Sequence, residues 1–178
     1  MLILTSKKRE KIIEFICDNP TKKIKIRELA KLLKISPAYV SRTLKTLCKY
    51  KIIRNNRVDL SNPYVKGLKI FFNIKKLIKK SVIKKLKEIR AKGTGVYGSW
   101  ANGTNHEDSD LDIWIKTNKY PGEIKVARVS NEIRKELGRN VQILVLTPER
   151  IERLKTEDPI FYYSLVFGSI VLYGEGIE

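Results

Sequence analysis

Residues 98–113 read GSWANGTNHEDSDLDI. Gly95-Val96-Tyr97 before them reads as a short strand, and Asp110 to Ile115 reads as the next one. Residues two apart on a strand point to one face, so Asp110 and Asp112 project together, with Leu111 and Ile113 buried behind them. Two carboxylates this close repel, and a divalent cation relieves that repulsion. Gly98 lets the backbone approach a phosphate closely. Ser99 adds a hydroxyl and an amide donor near a helix start, where anions are favoured. A phosphate beside a cation-binding carboxylate pair reads as a nucleoside-triphosphate site.

Working outward, Pro121 to Leu137 is an expected helix with Ile124, Ala127, Val129, Ile133 and Leu137 as its apolar positions. Val141 to Leu146 reads as a buried strand. Pro148 to Leu154 and Ile160 to Phe167 read as helices, and Ile170 to Tyr173 as a last strand. Mixed elements over roughly 85 residues predict a small domain around a single sheet. Trp100, Trp114, Tyr162, Tyr163 and Phe167 are expected to pack in its core. His106, the only histidine, is expected in solvent, with a phosphate or adenine contact as the sharper alternative.

This half resembles the nucleotidyltransferase superfamily, and within it the minimal nucleotidyltransferases, over about residues 82–175. The motif is Gly-Ser-x-Ala-x-Gly followed by Ser-Asp-x-Asp, matched by Gly98, Ser99, Ala101, Gly103, Ser109, Asp110 and Asp112. The resemblance implies Asp110, Asp112 and Ser99 as catalytic residues. It implies Gly98, Ser99, Asn102 and Ser109 as nucleotide-binding residues, and Asp110 and Asp112 as metal ligands. The implied cofactor is Mg²⁺ or Mn²⁺, with a nucleoside triphosphate, ATP in first place, as substrate or ligand. Two positions depart from the pattern. Asn102 stands where the family usually has Arg, and Gln142 aligns with a third carboxylate that the family uses to activate the acceptor hydroxyl. A carboxamide carries no charge and is a poor base. Glu107 and Asp108 add charge to the loop.

The first half reads as three helices and a hairpin. Ser6 to Asp18 has one apolar face and stops at Asn19-Pro20. Ile26 to Leu33 follows, with Leu29, Leu32 and Leu33 expected inward. Ser36 offers an N-cap oxygen and Pro37 suits the first helical position. Val40, Leu44, Leu47 and Cys48 recur at helical spacing to about Tyr50, and Cys17 and Cys48 are expected as small core residues. Lys51 to Arg54, Asn55-Asn56 and Arg57 to Leu60 read as a hairpin with a two-residue turn.

Residues 5–62 resemble the winged helix-turn-helix family, most closely in KIRELAKLLKISPAYVSRTLKTLCKYKII. The resemblance makes the helix from Pro37 the recognition helix, with Ser36, Ala38, Tyr39, Ser41, Arg42 and Lys45 toward a major groove. Arg54 and Arg57 would reach phosphates from the wing. Charge supports a polyanionic partner. Residues 1–92 hold 27 basic and 6 acidic residues, net +21, whereas residues 93–178 are net −3.

The expected architecture is therefore α+β. A winged helix-turn-helix DNA-binding domain occupies 1–63, a helical linker 64–81, and a small nucleotidyltransferase-like α/β domain with a mixed sheet 82–178. The absence of a run of about 18 apolar residues excludes a membrane span. No secretory leader is readable and two cysteines make no disulfide scaffold, so a cytoplasmic protein is expected. Two functions stand open. One is a DNA-binding enzyme that binds NTP with Mg²⁺ and moves a nucleoside monophosphate to a protein or small-molecule hydroxyl. It would be antitoxin-like, with a helical toxin-like partner. The other is a weak or inactive nucleotide-sensing transcriptional regulator. Double-stranded DNA is the expected partner in both, and a homodimer is one option.

Overall fold

The computed structural model describes Leu4 and residues 6–178. The chain divides into two compact units, residues 1–72 and 73–178.

In the first unit, α1 (Lys7–Asp18), α2 (Ile26–Leu33) and α3 (Pro37–Lys49) precede β1 (Ile53–Arg54) and β2 (Arg57–Val58). Ser6 caps α1 by accepting the Arg9 amide, and Ser36 caps α3 by accepting the Tyr39 amide. Between α2 and α3 the chain turns at Lys34, which takes the left-handed conformation (φ 55°). The hairpin turn is Asn55-Asn56, both at positive φ (50° and 57°), as a type I′ turn requires. It sets Ile53 opposite Val58 and Arg54 opposite Arg57. Ile12, Ile13, Ile16, Val40, Leu47, Ile52 and Val65 form the core.

Helix α4 (Pro63–Lys79) gives Val65 and Phe72 to this core and Leu77 to that of the second unit. Its Lys69 departs from the lysines around it. The side chain is 1% exposed, and Nζ donates to the Cys17 carbonyl at the end of α1 (2.8 Å). A buried ammonium is tolerable there because a helix carboxyl end presents unpaired carbonyls and partial negative charge.

The second unit continues with α5 (Val82–Lys87), β3 (Gly93–Tyr97), α6 (Gly98–Asn102), β4 (Leu111–Lys116) and α7 (Glu123–Leu137). It ends with β5 (Val141–Leu146), α8 (Pro148–Glu157), α9 (Pro159–Gly168) and β6 (Ile170–Gly174). The sheet order is β5-β4-β3-β6, with β4 and β5 parallel and the other neighbours antiparallel, a mixed sheet. Strand alternation divides the core. Leu111, Ile113 and Ile115 pack with Val96, Val129, Ile133 and Val145 on one face. Trp114 packs with Leu146, Ile151, Tyr162 and Leu165 on the other. Gly95 opposes Trp114, and a Cβ there would stand 2.5 Å from the indole, so a side chain and this tryptophan exclude each other. Among the described residues no helix is long and apolar enough to cross a membrane.

Several expected core residues lie outside. Cys48 is exposed, because α3 centres its buried face on Val40, Thr43, Leu44 and Leu47, and Cys48 falls one residue past that face. Leu32 is 60% exposed, since α2 buries Leu29 and Ala30 instead. Ile124, in the first turn of α7, is 87% exposed ahead of the buried Val129 and Ile133. On α9, Tyr162 and Leu165 face inward, while Tyr163 and the 80% exposed Phe167 stack on each other outside, centroids 6.0 Å apart.

Candidate functional site

The second unit's site grows from the sheet register. Tyr97 on β3 opposes Asp112 on β4, which aligns with Gln142 on β5. The three share one sheet face at the end where β4 and β5 begin. Asp110 lies just before β4. Gln142 Nε2 donates to Asp110 Oδ2 at 3.0 Å, so the carboxamide stands beside the carboxylate pair. The Asp112 carboxyl is held above the usual carboxylate value, first by its desolvation and second by the negative charge of Asp110. The same carboxylate, after burial, holds the Tyr97 phenol up.

Gly98 starts α6 directly after β3 with φ +64°. A Cβ there would stand 2.9 Å from Asp112 Oδ2. Glycine is therefore required twice, for the left-handed backbone and for the close approach of the carboxylate. Ser99 follows, half-buried, and its carbonyl accepts the amides of Thr104 and Asn105 (3.0 and 3.2 Å). Gly103, at φ 67°, closes the short helix. Asn102 is exposed.

The loop to Asp110 is held internally. The Ser109 hydroxyl accepts the His106 amide (2.8 Å), the Ser109 amide donates back to the His106 carbonyl (3.2 Å), and the Asp108 amide donates to His106 Nδ1 (3.3 Å). His106 is exposed as expected, and its ring nitrogen serves the loop's own backbone. The buried side chains of Asn73 and Asn105 pair through two hydrogen bonds (3.0 and 3.3 Å), and Asn73 also donates to the Trp100 carbonyl (2.9 Å). No sequence pattern marked this pair, since Asn in a loop and Asn in a lysine-rich helix both read as solvated.

The donor set suits a hard divalent cation. Two carboxylates supply hard oxygen ligands, and a cation would offset both the desolvation of Asp112 and its repulsion from Asp110. Among the described residues no group of three His, Cys, Asp or Glu side chains is placed to hold a metal ion. Beside the pair stands the Gln142 carboxamide, its Nε2 turned to Asp110.

In the first unit, Arg42 and Lys45 project from α3 into solvent, and Arg54 and Arg57 do so from the hairpin. Arg54 Nε also lies 3.8 Å from Asp59. Ser41 is half-buried. The hydroxyls of Ser36 and Tyr39 are occupied within the fold: Ser36 caps α3, and the Tyr39 hydroxyl lies 2.6 Å from Ser6 Oγ. The Arg42 guanidinium stands 6.0 Å from the Tyr39 ring centroid.

The nucleotidyltransferase domain family matches residues 75–167, and the winged helix-turn-helix DNA-binding family matches residues 5–54. No curated protein matches significantly. Solved structures similar to this chain include a toxin–antitoxin with AMP-PNP, at 19% identity over 54% of this chain and 73% of that chain, TM-score 0.42. A mutant of the toxin–antitoxin MntA-HpeT shares 18% identity over 53% and 72%, TM-score 0.44. A tri-AMPylated Shewanella oneidensis HEPN toxin in complex with MNT antitoxin shares 16% over 60% and 73%, TM-score 0.40. The nucleotidyltransferase match spans more than half of this chain and shows that it belongs to that family, here carried behind an amino-terminal winged helix-turn-helix domain.

Proposed function

We propose that this protein binds duplex DNA through its winged helix and a nucleoside triphosphate with a divalent cation through its carboxyl-terminal unit, where it transfers a nucleoside monophosphate slowly. The observation that carries the reading is the Asp110–Asp112 pair set against the glycine turn at Gly98. Asp110 and Asp112 would hold the cation. When bound, that cation supplies charge neutralisation on the triphosphate and on the developing transition state. The turn at Gly98 and Ser99 would receive a phosphate through backbone amides.

In the transfer, an acceptor hydroxyl oxygen forms a bond to the α-phosphorus as the bond to pyrophosphate breaks. The hydroxyl proton must leave. Gln142 cannot take it, because a carboxamide is not basic, and its Nε2 is already donating to Asp110. A missing general base costs about 10²–10⁴-fold, which is why the proposed transfer is slow. The Gln142–Asp110 bond equally supports the second reading, in which the site senses nucleotide and the protein regulates transcription.

Arg42, Lys45, Arg54 and Arg57 are the proposed DNA contacts. They are exposed cations on the expected recognition helix and wing. The acceptor is a protein or small-molecule hydroxyl, with a helical toxin-like protein as the candidate from the sequence resemblance.

The test is incubation of the full chain with Mg²⁺ or Mn²⁺, each nucleoside triphosphate labelled at the α-phosphate, and cell lysate as acceptor pool. Slow, metal-dependent labelling lost in Asp110→Asn supports transfer. Nucleotide binding without labelling moves the reading to the sensor. Neither binding nor labelling refutes both.

A further inference from the structure

The structure assigns Arg139 as a positioning residue that clamps the loop carrying Ser109 and Asp110. This inference rests on the nucleotide-site reading above, because the loop matters as the support of that site.

Arg139 follows Gly138, the left-handed residue (φ 66°) that ends α7, and is separated from β5 by Asn140 alone. Its Nη1 donates to the backbone carbonyl of His106 at 2.9 Å and to that of Glu107. Its guanidinium carbon also lies 5.7 Å from the Trp100 ring centroid, over the buried indole of α6. One side chain thus joins three segments: α6, which begins with Gly98 and Ser99; the irregular loop between Gly103 and Asp110; and the entry to β5, which carries Gln142.

The middle of the loop makes short-range bonds of its own around His106 and Ser109. Those bonds fix the shape of the turn. The loop is also attached at its two ends. Asn105 is anchored through Asn73, and the Leu111 amide donates to the Asn140 carbonyl (2.9 Å). Arg139 reaches the stretch between them. The two carbonyls and the ring suit an arginine: Nη1 donates to both carbonyls while the guanidinium carbon lies within cation–π distance of the indole. A lysine could reach the carbonyls as a point donor but has no plane to lay on the indole.

The expected consequence is local. Removing the guanidinium loosens residues 106–109 and blurs the position of Asp110 relative to Asp112 and Gly98. The sheet and both cores keep their packing.

The experiment compares the full chain with Arg139→Ala, Arg139→Lys and Asp110→Asn by two readouts. Hydrogen exchange of the peptide spanning 103–110 needs no nucleotide. Exchange should be about tenfold faster in Arg139→Ala and intermediate in Arg139→Lys, with exchange in β3, β4 and β5 unchanged. Unchanged loop exchange overturns the assignment, and faster exchange throughout the second unit overturns it in favour of a general packing role. Calorimetry with Mn²⁺ and ATP gives the second readout. Binding should weaken about tenfold in Arg139→Ala and recover at least in part in Arg139→Lys. If wild type binds, Asp110→Asn does not, and Arg139→Ala binds like wild type, the positioning role fails while the site stands. If wild type does not bind at all, the site reading fails, and loop exchange alone decides whether Arg139 is a clamp.

Discussion

Replacing Gln142 by glutamate tests the site at its most unusual position. The side chain keeps its reach, but a donor 3.0 Å from Asp110 Oδ2 becomes a second anion at about that separation. Gln142 is exposed, so the water-like dielectric applies. Two unit charges at this distance then repel by about 1.4 kcal/mol. The lost hydrogen bond to a charged group adds about 1 kcal/mol. A destabilisation of ~2 kcal/mol in a unit of this size lowers Tm by about 8 °C. The sign should reverse with metal. Three carboxylates bind a divalent cation better than two, so Mg²⁺ should restore Tm in Gln142→Glu by several degrees more than in wild type. If transfer is limited by the missing base, labelling should rise by about 10²–10⁴-fold. The assay is thermal unfolding followed by circular dichroism in EDTA and in Mg²⁺, with the labelling assay alongside. A variant as stable as wild type in EDTA, or one that Mg²⁺ leaves equally low, refutes the placement of Gln142 beside a cation-binding pair.

Other outcomes follow from particular residues. Gly98→Ala forces a Cβ to within 2.9 Å of Asp112 Oδ2 at φ +64°, and should cost about 1–2 kcal/mol and most of the nucleotide affinity, measured by denaturation and calorimetry. Arg42→Ala with Lys45→Ala should lower the slope of log affinity against log salt by about 2 in a duplex-binding titration, one for each phosphate no longer neutralised. Burial pushes the Cys17 thiol up to about 12 from 9.0, whereas Cys48 is exposed, so iodoacetamide on the native chain should label Cys48 and spare Cys17 by mass spectrometry. The linkage has a definite sign. The unfolded chain releases the Cys17 proton near its ordinary value and the folded chain holds it. This contribution to stability is therefore full below pH 9 and is lost as the pH rises toward 12. Cys17→Ala should flatten that part of the stability curve.

The parts of the fold legible in the sequence are those fixed by local chemistry. Ser36-Pro37 could only begin a helix economically, and Asn55-Asn56 between two apolar runs could only turn in a left-handed conformation. Strand alternation predicted Asp110 and Asp112 on one face; β4 begins at Leu111, so Asp110 lies one residue before the strand, close enough for its charge to raise the Asp112 pKa. The place of Gln142 followed from the resemblance to the nucleotidyltransferases and not from any local pattern, and the structure sets it opposite Asp112 in the β4–β5 register. What stayed illegible depends on long-range neighbours. Periodicity could not show that Lys69 is buried, since it donates to a carbonyl 52 residues away. Helix α9 has almost no polar residue to mark its outer face, so nothing local separates the inward Tyr162 from the outward Tyr163. Arg139 reads as one more surface cation, and the carbonyls and indole it engages lie more than 30 positions earlier in the chain.

In the proposed function Asp110 and Asp112 make a cation-dependent nucleotide site. The direct measurement is calorimetric titration of ATP into the full chain with Mg²⁺ and with EDTA, repeated for Asp110→Asn and Asp112→Asn. Binding should depend on Mg²⁺ and weaken by about tenfold or more in each variant. Binding of equal strength in EDTA and in both variants would contradict it.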